Sequence, residues 1–167
     1  FLTCYTCVNG GGFPNLQAGR RFAAHYRKFT YWKFYMNILI QGAGRGIGLA
    51  LAQQAVTSGA TKLFLTARTP KDSPGYSALP PSPNVTWLAL DNVDEASIAA
   101  TGATITQSVT HLDRVICCAG VLKEGNVAPE KRIADVNAAN LGYAYQVNAM
   151  GPILLAKAIW PTLRGEH

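Results

Sequence analysis

Four glycines and two arginines carry the most specific chemistry in this 167-residue sequence. Gly42, Gly44, Gly46 and Gly48 stand at alternate positions directly after the run Asn37-Ile38-Leu39-Ile40-Gln41, with Arg45 and Ile47 between them. A strand that enters a glycine turn and then a helix brings free backbone N–H groups and the positive end of the helix dipole to one point, which suits an anion. Glycine lets the backbone approach that anion with no Cβ in the way. A second apolar run, Leu63-Phe64-Leu65-Thr66-Ala67, ends in Arg68. Its guanidinium, with that of Arg45, suits phosphate oxygens through charge-assisted hydrogen bonds.

These residues need a scaffold, and the hydrophobic pattern supplies one. Short apolar runs predict buried strands over 37–41, 62–67, 85–90 and 114–118. Between them, 46–58 has a helical apolar face closed by Gly59, and 94–110 can form a helix with Asp94 and Glu95 in its first turn, where the dipole favours acids. Residues 69–84 hold five prolines and read as a loop. A long helical stretch over 133–163 is expected to be interrupted at Gly142 and at Gly151-Pro152. Strands alternating with helices predict an α/β fold with a parallel sheet covered on both faces. Such sheets bind ligands at the carboxyl ends of their strands, where all the residues singled out above fall.

Composition narrows the function classes. At 49% hydrophobic and 14% charged residues the chain is too apolar for intrinsic disorder. Its apolar runs are far shorter than the roughly 20 residues of a membrane-spanning helix, so no membrane partner is expected. The formal charge of +6 is uneven, because residues 1–35 carry Arg20, Arg21, Arg27, Lys28 and Lys33 and no acid, which leaves +1 for 36–167. A nearly neutral body argues against a nucleic-acid partner. Residues 1–35, with their Gly10-Gly11-Gly12 run and basic aromatic stretch, are expected to lie outside a domain that starts at Met36. Cys4 and Cys7 have no second pair to complete a metal site, and no metal is expected. A cytoplasmic location follows from reduced, buried cysteines, with a mitochondrial one as the alternative if 1–35 is a presequence.

The glycine spacing is informative in detail. Gly-x-Gly-x-x-Gly, the common dinucleotide spacing, fails from either Gly42 or Gly44, because Ile47 and Leu49 take the sixth position. Gly42-x-x-x-Gly46-x-Gly48 does fit the spacing of short-chain dehydrogenases/reductases, which the chain resembles from Asn37 to about Leu163. NAD-specific sites place an acid at the end of the second strand to bind the ribose 2′-hydroxyl, and Ala67 stands there instead. With Arg45 and Arg68 beside it, this predicts NADP(H) as the preferred cofactor, with NAD(H) possible.

The resemblance implies further roles. Asp91 would accept from the adenine amino group, with Asn92 touching the ring through its backbone; an N-cap to the following helix is the other reading of Asp91. His111-Leu112-Asp113-Arg114-Val115-Ile116-Cys117-Cys118-Ala119-Gly120 is similar to the family's fourth strand and its Asn-Asn-Ala-Gly signature, with cysteines for both asparagines. Ala119 and Gly120 would pass the nicotinamide ribose, while the lost amides would have braced neighbouring strands. Tyr145-Gln146-Val147-Asn148-Ala149-Met150-Gly151-Pro152 resembles the helix with the catalytic Asn, here Asn148. Pro152 has no N–H for the carbonyl four residues back, so that carbonyl of Asn148 would be free to hold a water.

The implied whole is a Rossmann-type doubly wound parallel sheet, C-terminally truncated. The family's reaction also needs a Ser, a Tyr as general acid and a Lys four residues after it. None of the seven tyrosines has Lys at that spacing. The expected function is therefore the cofactor-binding part of an oxidoreductase that acts on a small carbonyl or alcohol substrate, inactive by itself. A non-catalytic dinucleotide-binding module is the alternative, and a homo-oligomer is expected only of a complete chain.

Overall fold

A computed structural model describes residues 3–4, 36–122 and 130–163. In chain order the elements are β1 (Thr3–Cys4), β2 (Asn37–Gln41), α1 (Gly46–Thr57), β3 (Lys62–Ala67), α2 (Pro74–Ala78), β4 (Val85–Ala89), α3 (Glu95–Ser108), β5 (Arg114–Cys117), α4 (Ala138–Tyr145), α5 (Gly151–Ala158) and α6 (Trp160–Leu163). The five strands are all parallel, in the order β1-β5-β2-β3-β4. The four principal strands lie where the apolar runs put them, with ends moved by at most a residue, and the sheet is Rossmann-like.

Strand residues alternate between faces, and both faces are covered. Leu39, Phe64 and Val115 turn one way and pack with Ile98 and Ile105 of α3 and Leu155 of α5. Ile38, Ile40, Leu63 and Leu65 turn the other way and pack with Ala52 and Ala55 of α1. Burial on two sides explains why these strands read as continuous apolar runs. It also explains the small residues between α3 and α5: a Cβ on Gly102 would lie 2.6 Å from Ala158 Cβ.

Three expectations differ from the structure. The 69–84 stretch contains a 3₁₀ turn at Pro70–Asp72 and the short α2, each with proline in its first turn, where the missing N–H costs nothing. Gly142 lies inside α4 and does not interrupt it. The break lies only at the second expected place: a π-helical turn, Gln146–Met150, leads into Gly151-Pro152 at the start of α5. At the other edge, Thr3–Cys4 pairs with β5 through Thr3↔Ile116 and Cys4↔Cys117, so two residues of the N-terminal segment sit on the sheet. Cys7 and the basic aromatic stretch fall outside the described residues.

Candidate cofactor site

The strand order turns at β2, whose neighbours are β3 on one side and β5 on the other. The loops that leave β2 and β5 part there, which is where open α/β sheets form a crevice. Hydrogen bonds tie the end of β2 to the ends of β3 and β5. Ala43 N donates to Thr66 O at 2.9 Å, Gly42 N to Thr66 Oγ1 at 3.2 Å, and Cys118 N to Gln41 O at 2.8 Å. Gly42 adopts φ +82°, and a Cβ there would lie 2.5 Å from Ala119 N. Only glycine tolerates both the dihedral and the approach. A Cβ on Gly48 would meet Gly42 O at 2.2 Å, so α1 begins hard against the turn. Gly46, at φ +58°, faces open space with nothing within 4 Å of a Cβ position. The Arg45 side chain gives no cap to α1. Bare backbone at the first turn of a 12-residue helix is a cradle shaped for an anion.

In front of the cradle lies a cleft of about 560 Å³. Gly42, Gly44, Arg45, Gly46, Ile47 and Gly48 line its floor. Arg68 lines it from the end of β3, Asp91 and Asn92 from the end of β4, and Ala119 and Gly120 from the end of β5. Every residue singled out as cofactor-binding thus borders one space, of a size that suits an extended organic ligand.

At one end of the cleft the surroundings are cationic. Arg45 and Arg68 are exposed and line the cleft together with Ala67, which offers no carboxylate. The proline-rich segment closes this end as a wall. Gly75 N donates to Gly44 O at 2.8 Å, and Ser73 Oγ accepts from Tyr76 N and donates to Pro70 O. Gly75 itself leaves no room for a side chain, since its Cβ would lie 2.6 Å from Ala43 O. The wall escaped the sequence reading, although Ser73-Pro74, a capping residue before proline, is a helix-start signal.

Asp91 is not the N-cap of α3. That role belongs to Asp94, whose Oδ1 accepts from Ala96 N at 2.9 Å. Asp91 Oδ1 instead accepts from Val93 N at 3.1 Å in a tight turn, with the carboxylate at the cleft. Asn92 points inward: its Oδ1 accepts from Gln41 Nε2 at 2.7 Å and its Nδ2 donates to Val147 O at 2.8 Å.

Asn148 stands behind the β5 loop. Its Oδ1 accepts from Val121 N at 2.7 Å and its Nδ2 donates to Val121 O at 2.9 Å. A Cβ on Gly120 would lie 3.3 Å from Asn148 Oδ1, so the amide is adjacent to the cleft wall. The missing N–H of Pro152 acts at another carbonyl than expected. Gly151 N donates to Gln146 O, five residues back. In that register the carbonyl facing Pro152 is Val147's, and Asn92 supplies the hydrogen bond that proline cannot.

Cys117 is buried and Cys118 half-buried, and both are thiols. Among the described residues no group of His, Cys, Asp and Glu could hold a metal, and no helix is long and apolar enough to cross a membrane. Away from the cleft, a two-pronged bond from Arg132 to Asp135 raises the guanidinium pKa further. Gln41, Ser73 and Val121 border the cleft but were not read from sequence, because their importance depends on partners distant in the chain.

Known proteins are similar to this chain in sequence and fold. The chain is 31% identical over 133 residues to the short chain dehydrogenase gsfK of Penicillium aethiopicum, an alignment covering 78% of this chain and 51% of the relative. The NADPH-bound carbonyl reductase from chicken fatty liver superposes with a TM-score of 0.67 at 25% identity, over 78% of this chain and 49% of that one. A carbonyl reductase of Pseudomonas aeruginosa in complex with NADP gives 0.65 at 29% identity, over 77% and 56%. The chain thus spans about half the length of the proteins it matches. The match to the sequence profile of that family runs over residues 36–167, which takes in the glycine turn, every wall of the cleft and the Asn148 turn. With fold, cleft and profile in agreement, the chain belongs to the short chain dehydrogenase family.

Proposed function

We propose that this chain is the cofactor-binding part of an NADP(H)-dependent oxidoreductase that, with its remaining half, interconverts a small carbonyl compound and an alcohol. The carrying observation is that Arg45, Ala67 and Arg68 all line the cleft, with no carboxylate at position 67. A carboxylate at position 67 would favour a free ribose 2′-hydroxyl, whereas two guanidinium groups and a methyl favour a 2′-phosphate. The chicken and Pseudomonas structures, which hold NADPH and NADP, support the same reading. NAD(H) enters the same cleft with lower affinity.

The residues divide the work. Backbone N–H groups from Gly44 to Gly48 hold the pyrophosphate, Arg45 and Arg68 the 2′-phosphate, and Asp91 and Asn92 border the adenine. Ala119 and Gly120 give the nicotinamide ribose a flat surface, and Asn148 fixes that surface through Val121. When bound, the nicotinamide ring supplies or takes up a hydride at C4. Proton transfer needs a tyrosine with a lysine four residues on, and this sequence has none. The 167-residue chain therefore binds dinucleotide without turning over carbonyl compounds.

Titration of the chain with NADPH and NADH tests this reading. Wild type is expected to prefer NADPH, and Arg68→Ala to weaken NADPH by about tenfold while leaving NADH nearly unchanged, the loss of one charge-assisted contact. An NADPH affinity unmoved by Arg68→Ala overturns the assignment, and robust NADPH oxidation with an aldehyde overturns the inactivity.

A further inference from the structure

The ends of β4 and β5 are not neighbours, because β3 and β2 lie between them in the sheet. A continuous set of contacts nonetheless joins them. Asn92, in the segment after β4, donates from Nδ2 to Val147 O at 2.8 Å, inside the π turn. The next residue of that turn, Asn148, holds Val121 after β5 through both atoms of its amide. The turn and the β4 segment touch closely. A Cβ on Gly151 would lie 2.6 Å from Asn92 Cβ and 2.9 Å from Asn92 O, so a side chain there would push the helix out of reach. Gln41 Nε2 holds Asn92 Oδ1 at 2.7 Å, which keeps the amide nitrogen turned toward Val147.

The backbone register gives the Asn92 bond its consequence. Gly151 N donates to Gln146 O, one residue further back than in an α-helix, and Pro152 has no N–H to give. In an α register Pro152 would leave the Asn148 carbonyl without its donor. In the π register it leaves that of Val147, which Asn92 reaches. A shift of one residue turns the preceding helix by about 100° around its axis, enough to swing Asn148 away from Val121. We infer that Asn92 is a positioning residue: its Nδ2 selects the π register between α4 and α5, which aims Asn148 at Val121 and so sets the wall of the cleft after β5. This rests on the cofactor reading above in one respect, that the wall so set serves the nicotinamide half of the ligand. Asn92 touches no reacting atom and takes part in no chemical step.

The test uses Asn92→Leu and Asn92→Asp in the full chain, with circular dichroism to verify folding. Leucine removes the donor at similar volume. Aspartate at neutral pH keeps an acceptor for Gln41 Nε2 and loses only the donor to Val147 O, so it decides the matter if the leucine variant does not fold. Amide hydrogen exchange is followed by NMR without ligand at Val121 and, as a reference, at Ala43, whose N–H donates to Thr66 O at 2.9 Å across the cleft floor. Protection at Val121 is expected to fall by about tenfold or more beyond any loss at Ala43. Equal losses at the two amides, or an unchanged Val121, make Asn92 a general brace and overturn the inference. Calorimetric titration compares NADPH with adenosine 2′,5′-bisphosphate, which lacks the nicotinamide half. Asn92→Leu is expected to weaken NADPH by about tenfold and the bisphosphate by less than about twofold, and parallel weakening overturns the assigned direction of the effect. Folded wild type that binds neither ligand overturns the cofactor reading, while the exchange measurement still decides the role of Asn92.

Discussion

Gln41 Nε2 donates a 2.7 Å hydrogen bond to Asn92 Oδ1 inside the protein, joining the end of β2 to the segment after β4. The direction of this bond is fixed by chemistry. Val147 O can only accept, so Asn92 must turn its NH₂ there and its oxygen to Gln41. Gln41 Oε1 is then left buried with no partner. Cys117 and Cys118 bring no amides to β5 and its loop, yet a buried amide brace exists one strand over.

That asymmetry predicts unequal costs. Asn92→Ala strands both Gln41 Nε2 and Val147 O, each an orphan worth about 1–3 kcal/mol. Gln41→Met strands Asn92 Oδ1 but removes the orphan Oε1, so its net cost is expected to be about 1 kcal/mol or less. Urea unfolding of both variants checks the order, and a larger loss for Gln41→Met contradicts the assigned direction.

Gly42 and Gly46 both have positive φ but differ in surroundings. Gly42→Ala meets Ala119 backbone at 2.5 Å, so strain and overlap add, and a loss of about 3 kcal/mol or more is expected. Gly46→Ala meets nothing and costs about 1–2 kcal/mol for the dihedral alone. Gly46 lines the cleft, so an added methyl is expected to crowd the anion cradle and weaken dinucleotide binding in a protein that still folds. Thermal melting paired with NADPH titration separates the two effects, and Gly46→Ala binding like wild type refutes the cradle.

The helical glycines give opposite signs. Gly142 in α4 has open space around it, so Gly142→Ala is expected to stabilise by about 0.5–1 kcal/mol through helix propensity. Gly102→Ala gains the same propensity but drives a methyl to 2.6 Å from Ala158 Cβ and 3.0 Å from Ala158 O. Overpacking of about 1–3 kcal/mol exceeds the gain, and net destabilisation is expected. Melting temperatures that move the same way in both variants contradict this packing.

What was legible in the sequence follows from the range of the interaction. Strands buried on both faces announce themselves as apolar runs, and the glycine turn and Arg68 lie next to such runs, so the scaffold and the cleft floor were readable. Gly142 misled because glycine disfavours helices locally, while α4 accommodates it on an exposed turn. The wall at Ser73, the Gln41–Asn92 bond and the π turn depend on contacts between residues far apart in the chain. Proline in the 69–84 stretch signals a break as much as a helix start, and only the capping hydroxyl of Ser73 decides for the latter.

Asn148 offers a prediction with a pH signature. Its amide both accepts from Val121 N and donates to Val121 O, and a carboxylate can do only the first. In Asn148→Asp at neutral pH two oxygens face each other where Nδ2 met Val121 O, so stability falls, by about 1–3 kcal/mol. A protonated carboxyl can donate to Val121 O again, so the folded state holds the proton more tightly. The pKa of the introduced carboxyl therefore rises above its unfolded value of about 3.9. Because the folded state then binds more protons, the deficit against wild type is full above the folded pKa. It shrinks as pH falls through that pKa toward the unfolded one. Urea unfolding of both proteins between about pH 7 and pH 4 spans the window from neutrality to the unfolded pKa, and hydrogen exchange at the Val121 amide reports the local bond. A stability gap constant over that range, with Val121 as protected as in wild type, would show that Asn148 does not hold the β5 loop through its side chain.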